Sequence, residues 1–352
     1  MKRSIKDIVL FSFSAVLIAG LLGSCTKTNP VVKTVVVDTI AKTPSQPVTP
    51  TPVPSNVVID IGGVSVSTLA TGFNYPTGMA IDKQGNVYVA DALNNCIRKI
   101  DPNGVVSVVA GQPGTVSGYV DGDVSVAQFY RPSGVVIDDA GNLFVADTNN
   151  QCIREITPAG VVSTFVNIET PIAIARDATT GNLYTSHFGD NQVDKITPDG
   201  TKTGMLNNVR DDGMVGVGIN FAPAAVAVDA AGNIYASDYP MNNVRKITPG
   251  GVVTNITVNG PVTGPTANYV DGALADAHFH GITGLTVDAA GNIYVADWGN
   301  NAIRVINTQT NTVKTLAGNG SGGSFSYPEA LAVDGSGNIY VAEPGDVKVI
   351  HH

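Results

Sequence analysis

The sequence has few of the residues that build metal, redox and nucleophilic centres. Its 352 residues include three cysteines, five histidines and one tryptophan, and neither G-x-S-x-G nor H-E-x-x-H occurs. Among the histidines inside the chain, His278 and His280 lie on one strand or loop, which is poor geometry for a tetrahedral zinc site with His187. The sequence therefore predicts no metal site, identifies no catalytic residue and favours a role other than catalysis.

An excess of positive charge is also missing. Without Lys2, Arg3, Lys6 and Asp7 of the leading segment, 17 Lys and Arg residues stand against 28 Asp and Glu residues. A domain with this net negative charge repels phosphate backbones, so we expect no nucleic-acid partner.

The apolar run from Ile8 to Leu22 is too short to cross a bilayer comfortably, but it has the length of a signal-peptide core. It ends in "LLGSC", which resembles the lipobox of bacterial lipoproteins. The resemblance implies a signal peptide over residues 1–24, acylation of Cys25 and a lipid-anchored protein of the bacterial cell envelope. Because Thr26 rather than an aspartate follows the cysteine, we expect the outer membrane. The alternative is an ordinary secretory signal with a chance cysteine.

Residues 25–56 are rich in proline and threonine and end in "TPSQPVTPTPVPSN". Closely spaced prolines remove backbone donors and favour extended conformations, so this segment is predicted to be a semi-rigid tether. The remaining residues, 57–352, are long enough for one large domain. Their short segments, rich in β-branched and aromatic residues and without helical periodicity, indicate an all-β fold.

A Gly-Asn pair marks a repeated unit in this domain. Its asparagines are Asn86, Asn142, Asn182, Asn233, Asn292 and Asn338, at intervals of 56, 40, 51, 59 and 46 residues. In each unit an apolar segment precedes the Gly-Asn turn, and segments such as "NIYVAD", "IRKI" and "VVSVVAG" follow it. Four short antiparallel strands with apolar residues on both faces are typical of a propeller blade. The repeats predict a six-bladed β-propeller of four-stranded blades.

The two ends of the domain predict how the ring closes. The sixth unit stops after its third strand, at "VKVIHH", whereas "VSTLATG" stands before the first unit and matches "VKTLAGN" from Val313. We therefore expect the N-terminal strand to complete the last blade, because this leaves no open sheet edge.

The motifs "PTGMAID", "GNIYVAD" and "NNCIRKI" resemble those of NHL repeats, and the segments "GYVDGDVSVAQFYRPSG" and "NYVDGALADAHFHGITG" resemble loops of bacterial NHL lipoproteins. The resemblance covers the whole domain and implies the same six-bladed fold. It says little about function, because such propellers include RNA- and protein-binding modules, sensor domains, an amidating lyase and, more distantly, lactonases of the gluconolactonase type.

The loops before the first strand and after the second strand of each blade share one face of a propeller, here called the upper face, where ligands usually bind. We predict that residues departing from the repeat at these positions bind ligand: Tyr75, Arg131, His187, Tyr239, His280, Trp298, Tyr327, Glu329 and Glu343. An exposed Trp298 suits stacking on a sugar or peptide. The alternative is that it fills a gap between blades.

The leading hypothesis is a monomeric, lipid-anchored binding or scaffold module without a cofactor, with a glycan, peptide or protein partner on the upper face. The alternative is a metal-assisted hydrolase or lactonase at the channel mouth, where Glu329 with neighbouring Asp or Asn residues would hold a divalent cation. Three or more ligands converging on one point would favour the enzyme, whereas a broad aromatic and polar surface would favour binding.

The polar residues that recur in four of the six units are interpreted as structural. The aspartate that ends a second strand is expected to tie the nearby loop through backbone hydrogen bonds, and the arginine of the third strand is expected to pair with a carboxylate. Cys96 and Cys152 occupy the same position in successive units. Stacked sheets lie about 10 Å apart and a disulfide needs Cα atoms within about 7 Å, so both thiols are expected to be free.

Overall fold

The computed structural model describes residues 59–60, 64–114, 116–187, 192–205, 223–239, 241–257, 270–318 and 323–351. The predicted signal peptide and tether lie outside this part of the chain. Within it, no helix has the length and apolar character needed to cross a membrane.

The described strands form six antiparallel sheets, one for each predicted blade. Blade 1 contains Pro76–Ile81, Val87–Asp91, Cys96–Ile100 and Val106–Gly111. Blade 2 contains Pro132–Ile137, Leu143–Asp147, Cys152–Ile156 and Val161–Asn167. Blade 3 contains Pro171–Arg176, Leu183–His187, Gln192–Ile196 and Lys202–Gly204. Blade 4 contains Val226–Val228, Ile234–Asp238, Asn243–Ile247 and Val253–Asn255. Blade 5 contains Ile282–Val287, Ile293–Asp297, Ala302–Asn307 and Thr312–Gly318. Blade 6 contains Ala330–Val333, Ile339–Glu343, Asp346–His351 and Ser65–Thr71.

The predicted closure is confirmed. Ser65–Thr71 pairs antiparallel with Asp346–His351, from Ser65 opposite His351 to Thr71 opposite Asp346. The first described strand, Ile59–Asp60, extends this sheet by pairing with the closing strand. The closing strand also contributes to the core, because Val66 and Ala70 are only 3% and 4% exposed.

Three blades carry a short fifth strand at the outer edge that the repeat did not predict. In blade 6 it is Ile59–Asp60, and in blades 2 and 5 it is Gly122–Asp123 and Gly272–Ala273. In the latter two, the loop that leads into the blade turns back along the fourth strand of the same blade.

The core lies between the blades. Among the described residues, six hydrophobic clusters occur, and each combines side chains of two neighbouring blades. Val66, for example, packs in the cluster that joins blades 5 and 6, together with Tyr294 and Ile350. This arrangement explains why the strands are apolar on both faces.

The Gly-Asn turn is built as the repeat predicts. In blade 1, Gly85 has a φ of +81°, a conformation that side chains disfavour. Asp82 accepts hydrogen bonds from the backbone N–H and the side-chain amide of Asn86, at 2.8 and 2.7 Å. Blades 2, 4, 5 and 6 repeat the bond between the two side chains.

The aspartate that ends the second strand has the expected structural role. Asp147 accepts a hydrogen bond from the backbone N–H of Tyr130 at 2.8 Å and pairs with Arg154 of the third strand at 3.0 Å. The same acid–base pair occurs in blades 1, 4 and 5, as Asp91–Arg98, Asp238–Arg245 and Asp297–Arg304. Each pair joins the second and third strands of its blade.

Asp121 and Asp271 also hold their loops against the blade. In blade 5, Asp271 accepts hydrogen bonds from Arg304 Nη2 at 2.7 Å and from the backbone N–H of Thr315 at 2.9 Å. Phe279 lies beneath, fully buried, with the Arg304 guanidinium 5.0 Å from its ring centroid. The equivalent residues of blade 2 repeat this arrangement.

Cys96 and Cys152 are free and buried, as predicted. Burial raises the pKa of both thiols to about 12. We therefore expect a domain beginning at Val57 to expose no reactive thiol when folded and two when denatured without reductant. Thiol titration checks this count. A count of zero in denaturant, with a mass that indicates one internal bridge, would contradict it.

Candidate functional site

In five of the blades, a residue just before the first strand adopts a left-handed backbone conformation. The φ angles are 61° for Tyr75, 52° for Arg131, 39° for Thr170 and 55° for Tyr327, and Gly281 has 71° in blade 5. The four non-glycine residues stand before proline, which disfavours the right-handed helical region, and left-handed backbone is costly for such residues. Residues with strained backbone conformations therefore occupy equivalent positions on the upper face.

The next position is shaped by a β-bulge. In blades 1, 2 and 5 the register between the first two strands shifts at Thr77, Ser133 and Thr283. A bulge redirects the side chain of the extra residue. The hydroxyls of Ser133 and Thr283 donate to backbone carbonyls of the next blade, at 2.6 and 2.8 Å. In blade 6 this position holds an acid, Glu329.

Glu329 joins three blades. Its side chain is buried, with the residue only 5% exposed. Oε1 accepts a hydrogen bond from Trp298 Nε1 of blade 5 at 3.0 Å, and the carboxylate also has a side-chain hydrogen bond with Tyr75 of blade 1. Trp298 begins a short 3-10 turn, Trp298–Asn300, directly after the second strand of its blade.

Two further tyrosines complete the group. The ring centroids of Trp298 and Tyr327 are 4.7 Å apart with an interplanar angle of 38°. A Cβ added to Gly281 would lie 3.4 Å from Tyr239 Cε2 and 3.7 Å from Trp298 Cε3, so this glycine leaves room between the two rings. The aromatic–acid cluster is defined here as these side chains: Tyr75, Tyr239, Trp298, Tyr327 and Glu329.

The side chains of the cluster differ in exposure, and its acid has a raised pKa. Tyr327 is 47% exposed, whereas Glu329 is 5% exposed. Burial raises the pKa of Glu329 to about 7, although the hydrogen bonds from Tyr75 and Trp298 act in the opposite direction. Burial, and then the negative charge of Glu329, raise the pKa of Tyr239. The carboxyl group therefore changes its charge near neutral pH.

The other four predicted site residues are not members of the aromatic–acid cluster. His187 is 3% exposed; its Nδ1 lies 2.5 Å from the carbonyl oxygen of Glu169 and its Nε2 lies 3.3 Å from Asp194. Glu343 is also 3% exposed, accepts a hydrogen bond from the backbone N–H of Ser326 at 2.7 Å and pairs with Lys348.

Arg131 and His280 are half-buried residues on the upper face. The backbone N–H of Arg131 donates to Asn95 Oδ1 at 2.9 Å, and that of His280 donates to Asp297 Oδ1 at 2.7 Å. The His280 ring covers Gly299 so closely that a Cβ there would lie 2.3 Å from its Nδ1. The structure thus brings five of the nine predicted residues together.

Two further features bear on alternative sites. Among the residues that the structure describes, no group of three or more His, Cys, Asp or Glu side chains is arranged to hold a metal ion. A groove of about 690 Å³ lies between blades 1 and 2, lined by Lys83 and Asp139 among others. These residues belong to turns between first and second strands, at the opposite end of the blades from the aromatic–acid cluster.

The family model for the NHL repeat matches residues 73–100, 129–156 and 279–306. These ranges contain the first three strands of blades 1, 2 and 5. Among curated proteins, Protein SUPPRESSOR OF QUENCHING 1, chloroplastic, of Arabidopsis thaliana is 40% identical over 98 residues, which are 28% of this chain and 9% of that protein. The chain therefore spans only a small part of that relative.

Solved structures show the same fold at low identity. A structural genomics protein of unknown function from Bacteroides thetaiotaomicron has a TM-score of 0.64 and 20% identity, over 82% of this chain and 76% of the other. An auxiliary nutrient binding protein from the same species has a TM-score of 0.61 and 14% identity, over 80% of this chain and 69% of the other.

Proposed function

We propose that this chain, a six-bladed β-propeller built from NHL repeats, is a binding module whose ligand occupies the aromatic–acid cluster on the upper face. The observation that carries the proposal is the convergence of Trp298, Tyr327 and Glu329, with an exposed ring above a buried acid. Aromatic side chains with a polar handle are the groups that binding surfaces use most. At the position of Glu329, the other blades carry small or aliphatic residues without charge.

The comparisons support binding in general terms. One of the similar folds belongs to a protein described as an auxiliary nutrient binding protein, and we extend that kind of role to this chain. The partner class that we propose is a glycan, a peptide or a protein surface, bound by a monomer. A lipid on Cys25 and the tether over residues 25–56 would hold the propeller at the bacterial outer membrane.

Trp298→Ala and Tyr327→Ala are expected to abolish binding with little loss of stability, because loop residues contribute less to the core than strand residues do. Arg131→Ala is the matched control, since Arg131 shares the left-handed position of Tyr327 but lies outside the cluster. Labelled protein on a glycan array and selection from a random peptide library measure the binding. Urea unfolding measures the stability.

The results separate binding from packing. If Trp298→Ala and Tyr327→Ala both unfold much more easily than Arg131→Ala, the aromatic residues serve packing and the proposed site is wrong. If the array and peptide signals persist in both folded variants, the ligand binds elsewhere. Loss in both, with retention in Arg131→Ala, supports the proposal.

A further inference from the structure

We infer that the aromatic–acid cluster recognises an organic cation, namely an ammonium group that lies against Glu329 and the surrounding aromatic rings. The inference rests on the proposed function, and it specifies the chemistry of the ligand group that the cluster takes. A lysine side chain, a peptide N-terminus or a quaternary amine could each supply this group.

The first argument is that Glu329 has no positive partner in the part of the chain that the structure describes. The acid at the end of the second strand has one in five blades: Asp91–Arg98, Asp147–Arg154, Asp238–Arg245, Asp297–Arg304 and Glu343–Lys348. For Glu329, the groups that act on its charge are Trp298 and Tyr75, both neutral. The negative charge of a buried carboxylate without a cation nearby is therefore not compensated, and its removal from water costs free energy.

The second argument concerns what the carboxylate still lacks. It already accepts hydrogen bonds from the Trp298 indole and has the contact with Tyr75. A further neutral donor, such as a sugar hydroxyl, would add little to an acid that is already hydrogen-bonded. A positive charge would stabilise its ionised form, which burial disfavours.

The third argument concerns the walls of the cluster. Trp298 is the side chain with the strongest attraction for cations, and tyrosine follows it. The rings of Trp298 and Tyr327 contact each other, with centroids 4.7 Å apart and a tilt of 38°. Tyr239 lies close by, because a Cβ added to Gly281 would lie 3.4 Å from Tyr239 Cε2 and 3.7 Å from Trp298 Cε3. Rings around a carboxylate suit an alkylated ammonium, whose surface is apolar and whose charge is positive.

The inference predicts a specific pH dependence of cation binding, because binding is linked to the protonation of Glu329. A bound cation favours ionised Glu329, so it lowers the pKa of this carboxyl from about 7. Binding of a permanently charged cation below that pH therefore releases a proton. The affinity should rise with pH up to about 7 and level off above it. Between pH 6 and pH 8 the increase should be about tenfold, which is the change in the ionised fraction.

The test uses isothermal titration calorimetry on the domain with choline as the probe. Its control ligand is the dimethylbutanol isomer in which a carbon atom replaces the charged nitrogen of choline. This control has the shape of choline without its charge. We expect choline to bind and dimethylbutanol to bind at least tenfold more weakly. Choline should bind about tenfold more tightly at pH 8 than at pH 6.

Three variants test which residues are responsible for choline binding and for its pH dependence. Glu329→Gln should weaken choline binding at least tenfold at pH 8 and remove its pH dependence, whereas Arg131→Ala should change neither. Trp298→Phe keeps a ring but removes the indole N–H donor, so it should retain preference for choline over dimethylbutanol. Thermal unfolding of each variant shows that it is folded.

Equal binding of choline and dimethylbutanol would overturn the inference, as would unchanged choline affinity in folded Glu329→Gln. If array or peptide binding still depends on Trp298 and Tyr327 in that case, the proposed function stands and only the ligand chemistry is wrong. If no probe depends on Trp298 or Tyr327, both proposals fail.

Discussion

A chain that begins at Phe73 is expected to lose cooperative unfolding, whereas a chain that begins at Val57 keeps it. The shorter chain lacks the closing strand, Ser65–Thr71, and so exposes the whole edge of Asp346–His351. It also removes Val66 and Ala70 from clusters that join blade 6 to both of its neighbours. A ring opened at this point presents an unpaired sheet edge and two uncovered apolar surfaces.

Urea unfolding followed by circular dichroism and by Trp298 fluorescence measures the effect. The chain beginning at Val57 should give one transition at the same midpoint with both probes. The chain beginning at Phe73 should give a broad change without a common midpoint. A sharp transition at the midpoint of the longer chain would show that the closing strand contributes little to the fold.

The closure could be predicted from sequence because the strands of each unit can be counted. A blade needs a fourth strand, the sixth unit lacks one, and a spare strand with matching residues precedes the first unit. The turns could be predicted for a similar reason, since the aspartate, glycine and asparagine around Asn86 act within a few residues of each other. Local and periodic features are therefore readable before the structure is known.

The aromatic–acid cluster was readable only in part. The positions of Tyr75, Trp298 and Glu329 on the upper face follow from the repeat. Their mutual contact depends on the closure, which places blade 1 beside blade 6, and on the orientation that each loop gives its side chain. One signal in the sequence pointed to Glu329, which is the only acid at a position held by Thr77, Ser133, Ile172, Ala224 and Thr283 in the other blades.

His187 and Glu343 departed from the repeat for a structural reason. In blade 6 the turn after the second strand is two residues shorter, and Glu343 with Lys348 replaces the aspartate and arginine of the other blades. In blade 3 the acidic and basic positions are exchanged: His187 occupies the position of the acid on the second strand, and Asp194 occupies the position of the arginine on the third strand. A compensating change on the third strand was the sequence signal for both substitutions.

The buried pairs and the aromatic–acid cluster use acids in opposite ways. Asp297 is fully buried but meets the guanidinium of Arg304 at 2.9 Å, so its charge is compensated within the blade. Glu329 lies on the upper face with neutral partners. The first arrangement stabilises the blade, whereas the second leaves a charge for a ligand to compensate.

Arg304→Met is the variant that tests the first arrangement. Arg304 is fully buried and donates hydrogen bonds to Asp297, Asp271 and the backbone carbonyls of Val270 and His278. Methionine would remove these hydrogen bonds and leave the buried Asp297 without its cationic partner, so the free energy of unfolding should fall by about 3–5 kcal/mol.

Arg98→Met is the matched control because Arg98 occupies the same position in blade 1 but is 19% exposed at its side chain. It bonds to Asp91 and to the carbonyl of Gly72, and the described part of blade 1 has no fifth strand at its outer edge. Water can replace part of what Arg98 provides, so its loss should cost about 1–2 kcal/mol. Guanidinium unfolding of both variants gives the comparison. Equal small losses would mean that the buried network around Arg304 fixes the path of the loop without stabilising the propeller.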